Sequence, residues 1–328
     1  MSEQMELAKK RSSRFSEWMS RPETTVALVL IVLCVIMTIA RPQTFPTLKN
    51  IFNIIRQFSL IAILAVGMGM VIITGSIDLS VGSTVAVTAC FGAWCYRELG
   101  VPPILVLLLI LGLGVAIGII NGVLVAKVGI PSFIVTLGML SIGKGVSLLF
   151  SNGSPISYPP TWISVFGGVY IGPVPVTVLV MAVVVTAGFI FMNNTLTGRN
   201  IYAVGNSPRA AVLSGILVDR IVVLVFAITG LLAGLCALLL LGLMNCGDPS
   251  FGGGYELDVI AAVVIGGISM SGGEGNILGV VLGAALMGLM KNMFVLLAVS
   301  GYWQTVILGL VIIGAVAIDS VRKKRAAR

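Results

Sequence analysis

The sequence predicts an all-α polytopic membrane protein of about ten transmembrane helices, with its N- and C-termini cytoplasmic. Three observations carry that expectation. Of 328 residues, 58% are apolar and only 10% charged, outside the range of water-soluble domains. Apolar runs near the ~20 residues needed to cross a ~30 Å hydrocarbon layer recur between short polar breaks. The basic residues gather at both ends and in one central loop, the positive-inside pattern. Residues 1–23 read as a cytoplasmic tail, 24–320 as one transmembrane domain, and 321–328 as a basic cytoplasmic tail.

The net charge of +8 does not point to nucleic acid, because the charge is placed by topology rather than gathered in a patch. The chain has no histidine, and Cys34, Cys90, Cys95, Cys236 and Cys246 lack metal-ligand spacing, so neither a metal nor another cofactor is expected. No catalytic constellation can be assembled, and an enzyme is not expected. The 40 glycines suit helices that approach closely in lipid.

In chain order, Lys9, Lys10, Arg11, Arg14 and Arg21 place the N-terminus inside, and the first span covers 24–40. Residues 41–58 hold two prolines and an amphipathic stretch, read as a separate interfacial helix on the outer side. The second span, 60–74, ends at GSIDLSVG, 75–82, where Asp78 stands at a helix boundary and either caps the third span or touches a solute. The third span runs to Tyr96. The fourth, 104–126, carries Gly114, Gly118 and Gly122 on one face, with Asn121 as an interhelical hydrogen-bonding or ligand group. The fifth opens at GIPSFIVTLG, 129–138. Its Lys144 either snorkels to the outer interface or faces a pathway, since a lysine at the bilayer centre costs about 2.5–3.5 kcal/mol. GMLSIGKG, 138–145, is not a phosphate loop: Gly145 stands where Ser or Thr must hold magnesium.

An uncharged, proline-rich external lip follows at 151–173, then the sixth span at 174–192 and the seventh at 221–243. Asp248, Glu256 and Asp258 mark an acidic external segment, 245–258, with no basic residue in it, a candidate docking surface. A short eighth span leads to a glycine turn at 272–275, the ninth span covers 277–297 and the tenth 302–318, before Arg322, Lys323, Lys324, Arg325 and Arg328. Gly118, Asn121, Gly129 and Gly138 have counterparts at similar spacing in Gly288, Asn292, Gly301 and Gly309, a faint pseudo-symmetric inverted repeat.

Residues 194–219 are the longest polar interruption, yet they are not composed like a linker. Two short apolar runs flank a Gly-Asn-Ser-Pro turn, with Ser207 as N-cap and Pro208 in the first turn of a helix on the cytoplasmic face. TGRNIYAVG, 197–205, and RAAVLSGI, 209–216, resemble the coupling loop of ribose-type permeases of bacterial ATP-binding-cassette importers. So do GSIDLSVG, GIPSFIVTLG, GGYELDVIAAVVIGG at 253–267 and GGEG at 272–275, although Ser76 stands in place of a glycine and Gly205-Asn206-Ser207 in place of the usual Gly-Gly-Asn.

The resemblance implies a multi-pass permease subunit of a bacterial cytoplasmic (inner) membrane. Its implied partners are a cytoplasmic ATPase, an extracytoplasmic solute-binding protein and a second permease subunit, identical or paralogous. The implied cargo is a monosaccharide or similar small polar solute. Gly198, Arg199, Tyr202, Ala203, Gly205, Asn206, Ala210, Ala211, Ser214 and Gly215 are the expected ATPase-coupling residues, with Gly205 and Asn206 reversing the backbone. Asp78, Ser80, Asn121, Phe133, Thr136 and Lys144 are the candidate pathway residues, and Asp248, Glu256 and Asp258 the candidate binding-protein contacts. An ion-coupled secondary transporter is the competing reading; it needs titratable groups within the spans, for which Asp78 and Lys144 are the candidates.

Overall fold

Helices account for most of the described residues, 22–159, 162 and 167–326 of a computed structural model. Lys9, Lys10, Arg11, Arg14, Arg21 and Arg328, on which part of the expected sidedness rests, lie outside the described residues, as does part of the 151–173 lip. In chain order the elements are α1 (Pro22–Ala40), α2 (Leu48–Ile73), α3 (Val81–Leu99), α4 (Pro103–Ala126) and α5 (Ser132–Ser151). Short strands β1 (Ile156–Ser157), β2 (Tyr170–Ile171) and β3 (Val174–Pro175) lead to α6 (Val176–Asn194), α7 (Leu196–Asn206) and α8 (Pro208–Leu213). The remainder is α9 (Val218–Met244), β4 (Cys246–Gly247), α10 (Tyr255–Ile265), α11 (Ile277–Leu296) and α12 (Gly301–Ala326).

Seven of these helices, α1, α2, α4, α5, α6, α9 and α11, are long and apolar enough to cross a membrane. Of the other three expected spans, α10 has only 11 residues and α12 offers a shorter apolar stretch, Gly301–Gly314. The expected interfacial helix is not separate. Its amphipathic part, from Leu48 onward, is the beginning of α2, whose 26 residues reach about 39 Å. The two prolines, Pro42 and Pro46, precede the helix, Thr47 caps it by accepting from the Asn50 amide, and nothing between Leu48 and Leu60 breaks it.

The core lies along α2, α9 and α10. Every residue of α2 from Ser59 to Ile73 is buried. By contrast α1, α4, α5 and α6 carry many exposed leucines, valines and isoleucines, the face expected toward lipid or another subunit. The predicted small-residue face of α4 is where α9 packs. A Cβ on Gly114 would strike the Gly230 carbonyl, one on Gly118 the Phe226 carbonyl, and one on Gly122 would lie 2.6 Å from Val223 Cα. On the other side, Gly279 and Gly283 of α11 meet the backbone of Gly266 and Ala262 near and within α10. The pairings mirror each other: α4 packs on α9 and α11 on α2, while α3 packs on α5 and α10 on α12.

Loops sort to the two ends. β1 of the lip pairs antiparallel with β4, Ile156 opposite Gly247 and Ser157 opposite Cys246. At the other end the Gly273 amide donates to the Ile73 carbonyl at 2.9 Å, beneath α7. The lip and the 245–258 segment therefore share one end of the bundle, and the 194–219 and 272–275 segments share the other.

Gly118→Leu should destabilise the α4–α9 contact by about 1–3 kcal/mol through overpacking, whereas Gly112→Leu, with open space around its Cβ, should be tolerated. Gel filtration of detergent-solubilised protein after graded heating checks this: only the first variant should lose its monodisperse peak earlier than the parent.

Candidate functional site

Two places in the fold collect the residues that the sequence singles out. The first is the α7–α8 hairpin. Thr195 accepts from the Gly198 amide at 3.0 Å and starts α7; Ser207 accepts from the Ala210 amide at 3.3 Å and starts α8, with Pro208 in its first turn as expected. Most of the hairpin's inner face is fastened to its own chain. The Tyr202 hydroxyl donates to the Gly275 carbonyl at 3.0 Å, and burial raises its pKa, so it is a donor at neutral pH. Asn206 donates to Tyr202 and Gly273 carbonyls, and Gly198 lies against the carbonyls of Phe191 and Met192.

Two expectations for this hairpin are corrected. Gly205 does not reverse the backbone: it sits within α7, and glycine is required there because a Cβ would strike the Ile73 carbonyl at the end of α2. Ala211 is not a surface residue; at 3% exposure it packs into the main apolar core. The outward surface is formed by Arg199, Arg209, Ala210, Val212, Leu213, Ser214 and Gly215, with Ala203 half-buried. Leu213, 89% exposed, was not among the expected coupling residues. Its signal was present in the phase of α8, whose short turn can send only one of Ala211 and Leu213 inward.

The second place is a cavity of about 510 Å³ between the start of α3, α5 and the loop that precedes α10. Ser83, Lys144, Asp248 and Glu256 face it, together with the glycines 252–254. Its size is within the ~300–1,000 Å³ usual for small-molecule sites. At its edge α3 and the 252 loop touch through backbone: a Cβ on Gly82 would strike the Gly252 carbonyl and lie 2.6 Å from Glu256 Oε2, and a Cβ on Gly252 would strike the Gly82 carbonyl. Glu256 thus holds its carboxylate at the amino end of α3, where the helix dipole favours a negative charge.

The structure brings Lys144 together with two of the three acids from the expected docking surface, and removes the third. Asp258 is buried and paired with Lys291 of α11, so it has no exposed carboxylate to offer a partner protein. The segment itself holds no basic residue, but bases reach it from other helices: Lys291, 33 positions from Asp258, and Lys144 across the cavity.

Four of the candidate pathway residues form a buried knot instead of lining the cavity. Asp78 accepts from the Ser80 amide at 2.8 Å and from its hydroxyl at 2.6 Å, and Asn121 donates to Ser80 Oγ at 2.9 Å. The Ile77 amide donates to Ser132 Oγ, while Thr136 donates to the carbonyls of Ile77 and Ser132. Asn121 is thus the interhelical bond, one of the two roles left open for it, whereas the expected cap is corrected: Asp78 binds Ser80, the residue before α3, and accepts from no amide of the helix itself. Phe133 is 53% exposed on the outer face of α5 and does not reach the cavity.

Comparison with known proteins agrees with this arrangement. Residues 50–316 match the family described as the permease component of branched-chain amino acid transport systems. The chain belongs to this family. It is accordingly a permease subunit, a multi-pass inner-membrane protein and not an enzyme. The permease is 39% identical over 307 residues to the ribose import permease protein RbsC of Escherichia coli, covering 92% of this chain and 94% of that one. It is 39% identical over 303 residues to RbsC of Bacillus subtilis, covering 91% and 92%. It is 34% identical over 321 residues to the galactose/methyl galactoside import permease protein MglC of Escherichia coli, covering 92% and 95%. No solved structure matches it.

Because Ala211 faces the permease's own core, Ala211→Glu should destabilise the permease itself. An unpaired carboxylate placed there costs several kcal/mol. Its thermal midpoint in detergent should fall well below that of the parent, and a normal midpoint would return Ala211 to the surface.

Proposed function

We propose that the permease forms the translocation pathway of an ATP-binding-cassette importer that takes up a monosaccharide or similar small polar solute. The observation that carries this reading is the α7–α8 hairpin: clamped to α2 and the 272–275 turn on one side, it presents Val212 and Leu213 on the other. Such exposed apolar residues outside the bundle suit a cytoplasmic ATPase groove, which supplies the ATP chemistry. The sugar-import relatives support the solute class.

In this reading ten helices span the membrane, α3, α10 and α12 included, with both termini cytoplasmic. The exchanged pairings of α4 with α9 and α11 with α2 support an inverted repeat of the kind found in alternating-access proteins. A solute-binding protein seats on the end where the lip meets the 245–254 segment. A second permease, identical or paralogous, covers exposed apolar faces such as that of α5. The outward cavity with Lys144, Asp248 and Glu256 receives the solute.

Leu213→Glu should leave the permease folded, since nothing packs over that side chain, yet abolish ATPase co-purification and uptake together. A loss of about 2 kcal/mol or more is the scale of an interface anchor. Co-purification and uptake at parental levels would remove the coupling assignment. Lys144→Met should keep the ATPase bound but lower uptake, measured with labelled sugar in proteoliposomes.

A further inference from the structure

Two charged residues near the start of α10 point in opposite directions. Glu256 and Asp258 are two positions apart, about 200° around a helix. Asp258 shares a face with Ala262 and Gly266, at intervals of four, and this face lies along α11. Gly279 meets Gly266, Gly283 meets Ala262, and Lys291 pairs with Asp258, three rungs of an antiparallel contact. Lys291 reaches Asp258 because side chains on a helix lean toward its amino end. Glu256 stands on the other side, against Gly82 and on the cavity that Lys144 and Ser83 also face.

The lower two rungs are backbone contacts through glycine. They set how closely α10 and α11 approach, but a contact without side chains does little to fix rotation. The ion pair does fix it, since its two ends must meet. With Asp258 buried and Lys291 partly exposed, such a pair contributes little net stability compared with apolar residues, but leaving the Asp258 charge alone is costly. Its evident effect is orientation.

We propose that Glu256 is a solute-discriminating residue of the permease, aimed into the cavity by the Asp258–Lys291 pair, and that it accepts hydrogen bonds from hydroxyl groups of a small neutral polyol. The inference rests on the transport reading above. A carboxylate accepts hydroxyl protons, Lys144 and Ser83 supply donors opposite it, and the surplus of Asp248 and Glu256 over Lys144 disfavours an anionic solute. Asp258 and Lys291 touch no solute; they are positioning residues.

The test uses the permease–ATPase complex without binding protein, with labelled ribose and galactose as probes and ribose 5-phosphate as the anionic comparison. Direct binding is measured first. The parent should bind at least one neutral sugar and not the phosphate ester, and Glu256→Gln should weaken sugar binding about ten-fold, as loss of a charge-assisted hydrogen bond would. Asp258→Asn with Lys291→Met, which leaves no lone buried charge, should weaken it similarly. Combining all three substitutions should weaken it no further, because the pair acts through Glu256. A mere structural role for the pair would instead give additive losses and reduced ATPase co-purification.

Unchanged binding in Glu256→Gln overturns the proposal, as does additivity of the pair with Glu256, or a parent that binds neither neutral sugar. Uptake with binding protein present, in the fully assembled importer, reports separately on the transport reading. An assembled parent that accumulates neither sugar sinks that reading, whereas normal parental uptake with an unaltered Glu256→Gln ribose-to-galactose ratio sinks only the role of Glu256.

Discussion

Non-helical backbone inside a helical membrane protein must find its hydrogen bonds within the protein, because lipid supplies none. Two segments of this permease meet that constraint, 74–80 before α3 and 245–254 before α10; the first leads into the start of α3, which with α5 and the second segment encloses the cavity. The first is fastened side chain by side chain: Asp78 holds Ser80, Asn121 holds Ser80 in turn, and Ser132 and Thr136 hold Ile77. The second is held by pairing of β4 with β1, by the Asp248 turn onto the Ser250 amide, and by the backbone contact of Gly252 with Gly82. If either were loosened, the amino end of α3 and the start of α10 would lose their mutual position, and Glu256 would leave the cavity wall.

The same segments connect the site to the surface on which a partner would act. α7 rests on the last carbonyl of α2, and the chain continues from there through Thr74 and the Asp78 knot into Gly82 and Ser83 at the cavity. It is a short, covalently continuous route with no flexible side chain in series. The opposite branch runs through Tyr202 and Gly275 into α11, whose Lys291 holds α10. Two of the helices at the cavity, α3 and α10, are therefore attached to one hairpin.

Local signals in the sequence were legible and distant ones were not. Ser207 and Pro208 announce the start of α8, and Gly114, Gly118 and Gly122 announce a packing face, because caps and helical periods act over a few residues. The partner of that face, α9, was not readable, since periodicity gives a direction and not a neighbour. Asp258 looked like a surface acid because its counter-charge, Lys291, belongs to another helix. Gly205 suggested a turn because glycine usually marks one; here it marks a carbonyl pressed against a helix. The continuous α2 was missed for a related reason: polar residues at its start read as an interfacial segment, although nothing in the backbone chemistry ends the helix there. For the site, the sequence marks Lys144 and Glu256 as charged residues in unusual places, but not that they face one cavity, because they belong to different helices.

The meeting of Gly82 and Gly252 has a mechanical consequence. Most helix contacts interlock, ridge into groove, so that one element can slide past another only by lifting side chains over one another. Where both surfaces are bare backbone there are no teeth to lift. The contact resists separation, because each carbonyl already lies against the other strand of chain, but it offers little resistance to shear along its length. This point serves as a plain bearing between the start of α3 and the loop that leads into α10.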